Sequence, residues 1–434
     1  MDATYTVNSI RRRINSKDIL KYSFASGGVY VAVAVMLLLK SILAFDVFMS
    51  ALIPLIAFTV IVYFYCSYRN SNMSLAFVAI TLNAIGFSLM CLISPEGLVL
   101  KHIVAMVLAI GIFAAVRFAT EKINFTALLI VISVASVLLY LILVLMPSDN
   151  TDEDGGKNVR AWLVIGGVSV QLTELIKILF VVFLAVLYSS KMKNSLKLVW
   201  LLGCLVINTG FSAYIEELGS LLVILVVAYM VQLIFGGKKQ TWILTALAVL
   251  AITTAAVLIF CTQITFSNET IQELIELVRA RVKNSDPYQL NQAKKALVNG
   301  GLWGTTHAET IYVPIKTSDF AFTSLVQHMG LVVATITLVL FTGIIYLLSR
   351  NVNLSDINCN SVLAVVSVLL LSFQSVYIIM SNTGLVPLTG INCIFLSDGG
   401  TTIMVSYVLT LFIISGMAKE RRNINERAKR VYEA

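Results

Sequence analysis

Residues 221–235 read LLVILVVAYMVQLIF, fifteen positions that are apolar on every side of a helix apart from Gln232. An amphipathic helix of a soluble domain confines its apolar residues to one stripe, and a membrane β-strand alternates apolar with polar over about 10 residues. This run does neither, so it reads as a helix surrounded by hydrocarbon. Runs like it recur along all 434 residues, and the chain is 58% hydrophobic and only 12% charged. Soluble domains carry roughly 25% charged residues. A single anchored soluble domain is therefore excluded, and so is intrinsic disorder, which needs low hydrophobicity and high charge. With about 20 apolar residues per crossing, the chain has room for about twelve spans. Its six prolines and 24 glycines leave long helices intact. The expected fold class is all-α, a polytopic transmembrane helix bundle.

The expected spans are 24–44, 47–67, 73–94, 100–118, 124–146, 171–189, 197–213, 217–236, 242–261, 319–348, 363–380 and 400–417. The tenth is longer than a bilayer requires, so it tilts or projects. Lys and Arg in short loops are retained on the cytoplasmic side. Arg69, Arg117, Lys122, Lys191, Lys193, Lys197, Lys238, Lys239 and Arg350 share one side with the basic N-terminus and the tail KERRNINERAKR. Both termini are thus expected to be cytosolic. The net charge of +8 serves topology, and no nucleic-acid partner is implied. The six cysteines lie singly, which argues for packed residues over disulfides or a thiolate metal site.

Opposite the basic side lie an acidic stretch at 148–156 and a long loop from about 262 to 318. In NETIQELIELVRARVK (268–283), Ile271, Leu274, Ile275 and Val278 form one stripe, as in an interfacial amphipathic helix. A second amphipathic segment around QLNQAKKALV ends at Gly300 and Gly301, where helices commonly stop. Asp286 falls between them, in a turn next to Pro287, and alone it reads as a turn-capping aspartate.

An ionisable group inside a span costs about 2.5 to 3.5 kcal/mol on insertion scales and so marks a candidate site. Glu174 and Lys177, three residues apart, share a helical face and can neutralise each other. They read either as a structural pair or, with Arg160, as a cation site for a lipid phosphate. Glu216 and Glu217 stand at a turn, with Gly219 beside them; Asp319, Gln327 and His328 lie along the tenth span. No nucleotide-binding or hydrolase motif appears in a supporting context, which argues against ATP-driven transport. The residues leave three activities open: a lipid-facing enzyme, a transporter or flippase, and a non-catalytic scaffold.

Five blocks in fixed order resemble the SEDS family of FtsW, RodA and SpoVE. NVRAWLVIGGVSVQLTELIK is similar to the family pattern GARRWI-LGG-S-QPSE-AK, through Arg160, Trp162, Gln171, Glu174 and Lys177. EELGS resembles PDLGT, with Glu217 where an aspartate is usual. DPYQLNQAKKALVNGGLWG resembles DP-G-GYQ-IQS--AIGSGGLFG, through Asp286, Pro287, Tyr288, Gln289, Gln292, Gly300, Gly301 and Gly304. SDFAF resembles TDFIF, through Asp319. NTGLVPLTGINCIFLSDGGTT resembles N-GM-P-TGIPLPFLSYGGSS, through Asn382, Pro387, Gly390, Ser397 and Gly399. The chain departs from the pattern at several points. Two glycines after Pro287 are missing, Leu172 replaces a proline, and Gln327 and His328 replace two glutamates. Asn392 and Ile394 replace prolines, and Asp398 replaces an aromatic.

The resemblance implies a peptidoglycan glycosyltransferase that polymerises lipid II, releases undecaprenyl pyrophosphate, and works among membrane lipids with a class B penicillin-binding protein as transpeptidase partner. It implies Asp286 as general base, Lys177, Arg160 and Lys283 as contacts for the pyrophosphate, and Glu174 as the group that orients Lys177. Glu217, Tyr288, Gln289, Gln292, Asp319 and Ser397 complete the expected substrate contacts. No cofactor is certain; a divalent cation, Mg²⁺ or Mn²⁺, could share the phosphate, with no legible ligand set. The shorter family members place three spans before the first motif where this chain holds five. The expected organisation is thus a basic N-terminus (1–23), an extra hairpin (24–70), a SEDS-like domain (71–418) and a basic tail (419–434). The departures leave two other readings in view, a non-catalytic scaffold for a transpeptidase and a lipid II flippase.

Overall fold

The computed structural model describes residues 2–69, 71–146, 162–165, 168–260, 272, 275–276, 287–305, 310–351 and 358–416. A helix stands at each of the twelve places where a span is expected. In chain order these are α1 (Asp2–Lys40), α2 (Ile42–Arg69), α3 (Met73–Ile93), α4 (Leu98–Lys122), α5 (Phe125–Leu145), α6 (Leu172–Ser189), α7 (Asn194–Tyr214), α8 (Leu218–Phe235) and α9 (Lys238–Phe260). After the short α10 (Pro287–Asn299) come α11 (Ala321–Asn351), α12 (Cys359–Thr383) and α13 (Gly400–Gly416). Ten of the described helices are long and apolar enough to cross a membrane, and α13 is a shorter apolar helix.

Helices α3, α6 and α13 bury nearly every side chain and form the centre, with the inner face of α12 against them. The surrounding helices expose large apolar groups, among them Leu39, Phe64, Val107, Val206 and Trp242. Apolar residues face both inward and outward, as in a protein whose solvent on the outside is lipid. The N-terminal hairpin α1–α2 packs on α3, with Tyr22 Oη on Ser74 Oγ (2.5 Å) as one of its polar ties.

The all-α expectation misses one feature. Trp162–Ile165 (β1) pairs antiparallel with Val168–Gln171 (β2), in the register Trp162 to Gln171 and Ile165 to Val168. Its sequence, WLVI and VSVQ around a Gly-Gly pair, carries the β-branched residues and turn chemistry of a two-residue hairpin. The hairpin delivers Gln171 directly into the first turn of α6.

The excess length of the tenth expected span is taken up by a break. Gly330 has φ 85° and ψ 168°, so α11 is two helical pieces joined there. Of the two amphipathic segments expected in the long loop, α10 is the second. Of the first, only Gln272, Ile275 and Glu276 lie among the described residues; all three are helical, and Ile275 is buried.

Candidate functional site

The first turns of α6 carry three polar side chains inward. Gln171, Glu174 and Lys177 are all buried, Glu174 and Lys177 to within 1% of complete exclusion. Lys177 Nζ donates to Glu174 Oε1 at 2.7 Å. Burying two charges costs several kcal/mol per ion unless hydrogen bonds satisfy the rest of each group, and neighbouring amides supply some of these bonds. Lys177 Nζ also donates to Gln374 Oε1 on α12 (3.4 Å), and Gln374 Nε2 donates to the Asn392 carbonyl (2.6 Å). Asn392 Nδ2 in turn reaches Gln171 Oε1 (2.6 Å), Thr402 Oγ1 (3.1 Å) and Glu174 Oε1 (3.4 Å). The other carboxylate oxygen of Glu174 has no hydrogen-bond partner among the described residues. A cleft of about 230 Å³, walled by Ile176, Phe180, Phe183, Trp200 and Asn208, opens on the α5–α7 side of α6, beginning one residue before Lys177.

The loop before α13 and the segment after α10 meet above this network. α10 is seated by a small core of Ala293, Ala296, Val313 and Phe320. The glycine-rich stretch that follows it clamps the break in α11. The amides of Leu331 and Val332, freed at Gly330, donate to the carbonyls of Gly301 (2.9 Å) and Leu302 (3.2 Å), and the Thr305 amide donates to the Gln327 carbonyl (2.8 Å). A Cβ on Gly304 would collide with the His328 carbonyl, and one on Gly330 with that of Leu302. Gln327 donates through Nε2 to the Ile311 carbonyl (3.0 Å), so it ties down the same segment.

Asn382, at the end of α12, donates to the Asp319 carbonyl (2.7 Å), and its side-chain oxygen accepts from the Thr323 amide and hydroxyl (both 3.1 Å). Ser397 Oγ accepts from the Cys393 amide (2.9 Å) and donates to the Ser318 carbonyl (3.3 Å), which joins the 384–399 loop to the start of α11. Asp398 accepts from Ser94 Oγ (2.8 Å) and pairs with Lys101 Nζ (3.1 Å) at the start of α4. Cys393 is fully buried in this loop, and burial pushes its thiol up to about 12, so it stays protonated.

The structure brings Glu174 and Lys177 together, and sets Asp319 and Ser397 on either side of one loop contact. Glu217 stands just before the first residue of α8, and its Oε1 accepts from the side chain of Ser220 through Oγ (2.7 Å). Tyr288, Gln289 and Gln292 lie on α10, with Tyr288 exposed and its hydroxyl accepting from Gln292 Nε2 (3.2 Å). Asp286, Arg160 and Lys283 lie outside the described residues. Among the described residues no group of three or more His, Cys, Asp or Glu could hold a metal ion, so no ligand set for Mg²⁺ or Mn²⁺ is found there. Sequence reasoning missed Gln374 and the Lys101–Asp398 pair. It noted Asn392 only as a departure, and the polar residue at a proline position was the available signal.

A profile of the cell cycle protein family of FtsW, RodA and SpoVE matches residues 73–423, beginning at the first residue of α3. The chain is 26% identical over 312 residues to peptidoglycan glycosyltransferase RodA of Mycobacterium tuberculosis, covering 66% of this chain and 62% of that protein. It therefore spans somewhat under two thirds of that relative's length. It is 27% identical over 300 residues to a probable peptidoglycan glycosyltransferase FtsW of Coxiella burnetii (66% and 77% covered). Stage V sporulation protein E of Bacillus subtilis is 26% identical over 294 residues (63% and 75% covered). Among solved structures, a chain of a peptidoglycan synthase complex superposes with a TM-score of 0.62 at 18% identity, covering 81% of this chain and 99% of that one. A variant of Thermus thermophilus rod shape determining protein RodA gives 0.51 at 19% identity, with 80% and 97% covered. These two likenesses establish the fold.

Proposed function

The chain belongs to the cell cycle protein family of FtsW, RodA and SpoVE, and from that premise we propose that it is a peptidoglycan glycosyltransferase. It polymerises lipid II into glycan strands at the outer face of the cytoplasmic membrane. Both termini lie in the cytosol, residues 24–70 are an extra hairpin on a family domain, and the end bearing α10 and the 384–399 loop faces outward. The observation that carries the reading is the buried Glu174–Lys177 pair in a chain matched to the family. A lysine held in a dry interior against one carboxylate oxygen is a fixed cation, and fixed charge stabilises a departing anion without reorganisation.

In the proposed reaction Asp286 takes the proton from the acceptor sugar hydroxyl. That oxygen attacks the anomeric carbon of the donor sugar with inversion, the bond from that carbon to the pyrophosphate oxygen breaks, and undecaprenyl pyrophosphate leaves. Lys177, Arg160 and Lys283 meet the developing charge. Asp286 directly precedes α10 in the sequence. Tyr288, Gln289 and Gln292 on the same helix, together with Glu217, Asp319 and Ser397, orient the substrate. The cleft beside Ile176 lies at the depth of Lys177 and suits a prenyl chain. A class B penicillin-binding protein crosslinks the product; a divalent cation, for which the described residues supply no ligand set, would add positive charge at the pyrophosphate.

The test is polymerisation of purified lipid II by wild type and by Asp286→Ala. Polymer from wild type and none from the variant is the expected result; full activity in the variant removes the assigned base. In liposomes, translocation of labelled lipid II without polymer, unaffected by Asp286→Ala, would favour a flippase. Normal growth of cells carrying only the variant would favour a scaffold.

A further inference from the structure

The hydrogen bonds around Glu174 and Lys177 close on themselves. Lys177 Nζ donates to Glu174 Oε1 and to Gln374 Oε1, Gln374 Nε2 donates to the Asn392 carbonyl, and Asn392 Nδ2 returns to Glu174 Oε1. The circuit joins α6 to α12 and the loop that follows α12, with Lys177 and Gln374 197 positions apart. We infer that Gln374 and Asn392 are positioning residues that fix Lys177 for the departing pyrophosphate. The inference rests on the reading of Lys177 given under the proposed function.

A lysine has a long flexible stem, and one contact with a carboxylate fixes a distance but not a direction. Gln374 supplies the direction. Its amide is oriented by the 2.6 Å bond to a backbone carbonyl, which any residue at 392 would offer; with Nε2 committed there, Oε1 must face Lys177. Asn392 acts on the other partner. Its two amide hydrogens are spread over Gln171 Oε1, Thr402 Oγ1 and Glu174 Oε1, so the carboxylate faces a donor anchored to both α6 and α13. Gln374 and Asn392 are themselves buried, at 0% and 4% exposed, so water does not compete for these bonds. The proline of the pattern that this loop resembles has no side-chain donor and could make none of the three contacts. The chain thus replaces a stiff residue by one that reads the ion pair.

The experiment is a double-mutant cycle on lipid II polymerisation, with Gln374→Met, Lys177→Met and the pair. Methionine keeps the volume and removes the amide. A misplacement of about 1 Å at a reacting group costs on the order of 100-fold. Gln374→Met is therefore expected to lower kcat by roughly 10- to 100-fold with KM for lipid II little changed, and to cost nothing further once Lys177 is methionine. A packing role would instead lower the melting temperature and add its loss to that of Lys177→Met. Should Gln374→Met fail to fold, Asn392→Ser, which keeps the backbone carbonyl and shortens the side chain away from Glu174, carries the same expectation. Full kcat in Gln374→Met beside a strongly lowered but measurable kcat in Lys177→Met overturns the positioning inference alone. Full activity in Lys177→Met, or no polymer from wild type, overturns the reading beneath it and the inference too.

Discussion

Two loops at one end of the bundle, 300–305 and 384–399, hold their helices by opposite means. In the first, the bonds that close the break in α11 run from backbone to backbone, and glycines let the strands approach. In the second, side chains do the holding: Asn392 on the Glu174–Lys177 pair, Asp398 on Lys101 and Ser94, and Ser397 on the Cys393 amide. Gly300, Gly301 and Gly304 agree with the pattern their stretch resembles, while Asn392, Ile394 and Asp398 depart from theirs. A backbone joint admits one residue type because a Cβ at Gly300, Gly304 or Gly330 meets a carbonyl, and Gly301, with open space around it, has φ +53°. A side-chain joint can change its residues provided a partner changes with them, and Lys101 is such a partner for Asp398.

The comparison breaks most readily at Gly304. It has φ +80°, and a Cβ there would strike the His328 and Met329 backbone. Strained left-handed backbone costs about 1 to 3 kcal/mol by itself, before the collision is counted. Gly304→Ala is therefore expected to lose the clamp and most of the assembled protein, as a fall in melting temperature and in monodisperse yield from detergent. Wild-type yield would mean that the loop is not held by backbone contact.

The side-chain joint should fail more gently. Lys101 is 41% exposed and Asp398 13%, so the pair is partly screened. Exposed pairs contribute about 0.2 to 1 kcal/mol, and this one belongs near the upper end because Ser94 shares the carboxylate. Lys101→Met and Asp398→Asn should each lower stability by about that amount, and the double variant by less than their sum. Additive losses in thermal unfolding would show that the residues do not act as a pair.

How much of this was legible before the structure follows the same division. The twelve helices, α10 and its end at Gly300 follow from composition and local periodicity, which neighbouring residues suffice to set. Glu174 and Lys177 were legible because they sit three apart on one helix. Asp398 and Lys101 are separated by 297 positions and Gln374 and Lys177 by 197, and no local pattern joins residues so distant. The break at Gly330 was hidden for a related reason. A lone glycine in an apolar run reads as a tolerated helix residue, and only the approach of Leu302 and Gly304 makes it obligatory.

The smallest effect concerns the hairpin α1–α2, which lies outside the matched residues and yet touches the glycine clamp. Lys40 Nζ, at the end of α1, donates to the Trp303 carbonyl at 3.0 Å. This is a side chain acting on a backbone joint, a mixed case between the two loops. The bond is exposed, so water replaces it readily, and its removal should cost no more than about 0.5 to 1 kcal/mol. Lys40→Met is expected to leave yield and overall fold unchanged while raising amide hydrogen exchange at 301–305, since a loop that loses one tether opens locally before it unfolds globally. Unchanged exchange there would show that the clamp on α11 stands without the hairpin. A loss as large as that of Gly304→Ala would show that the hairpin is part of the clamp itself.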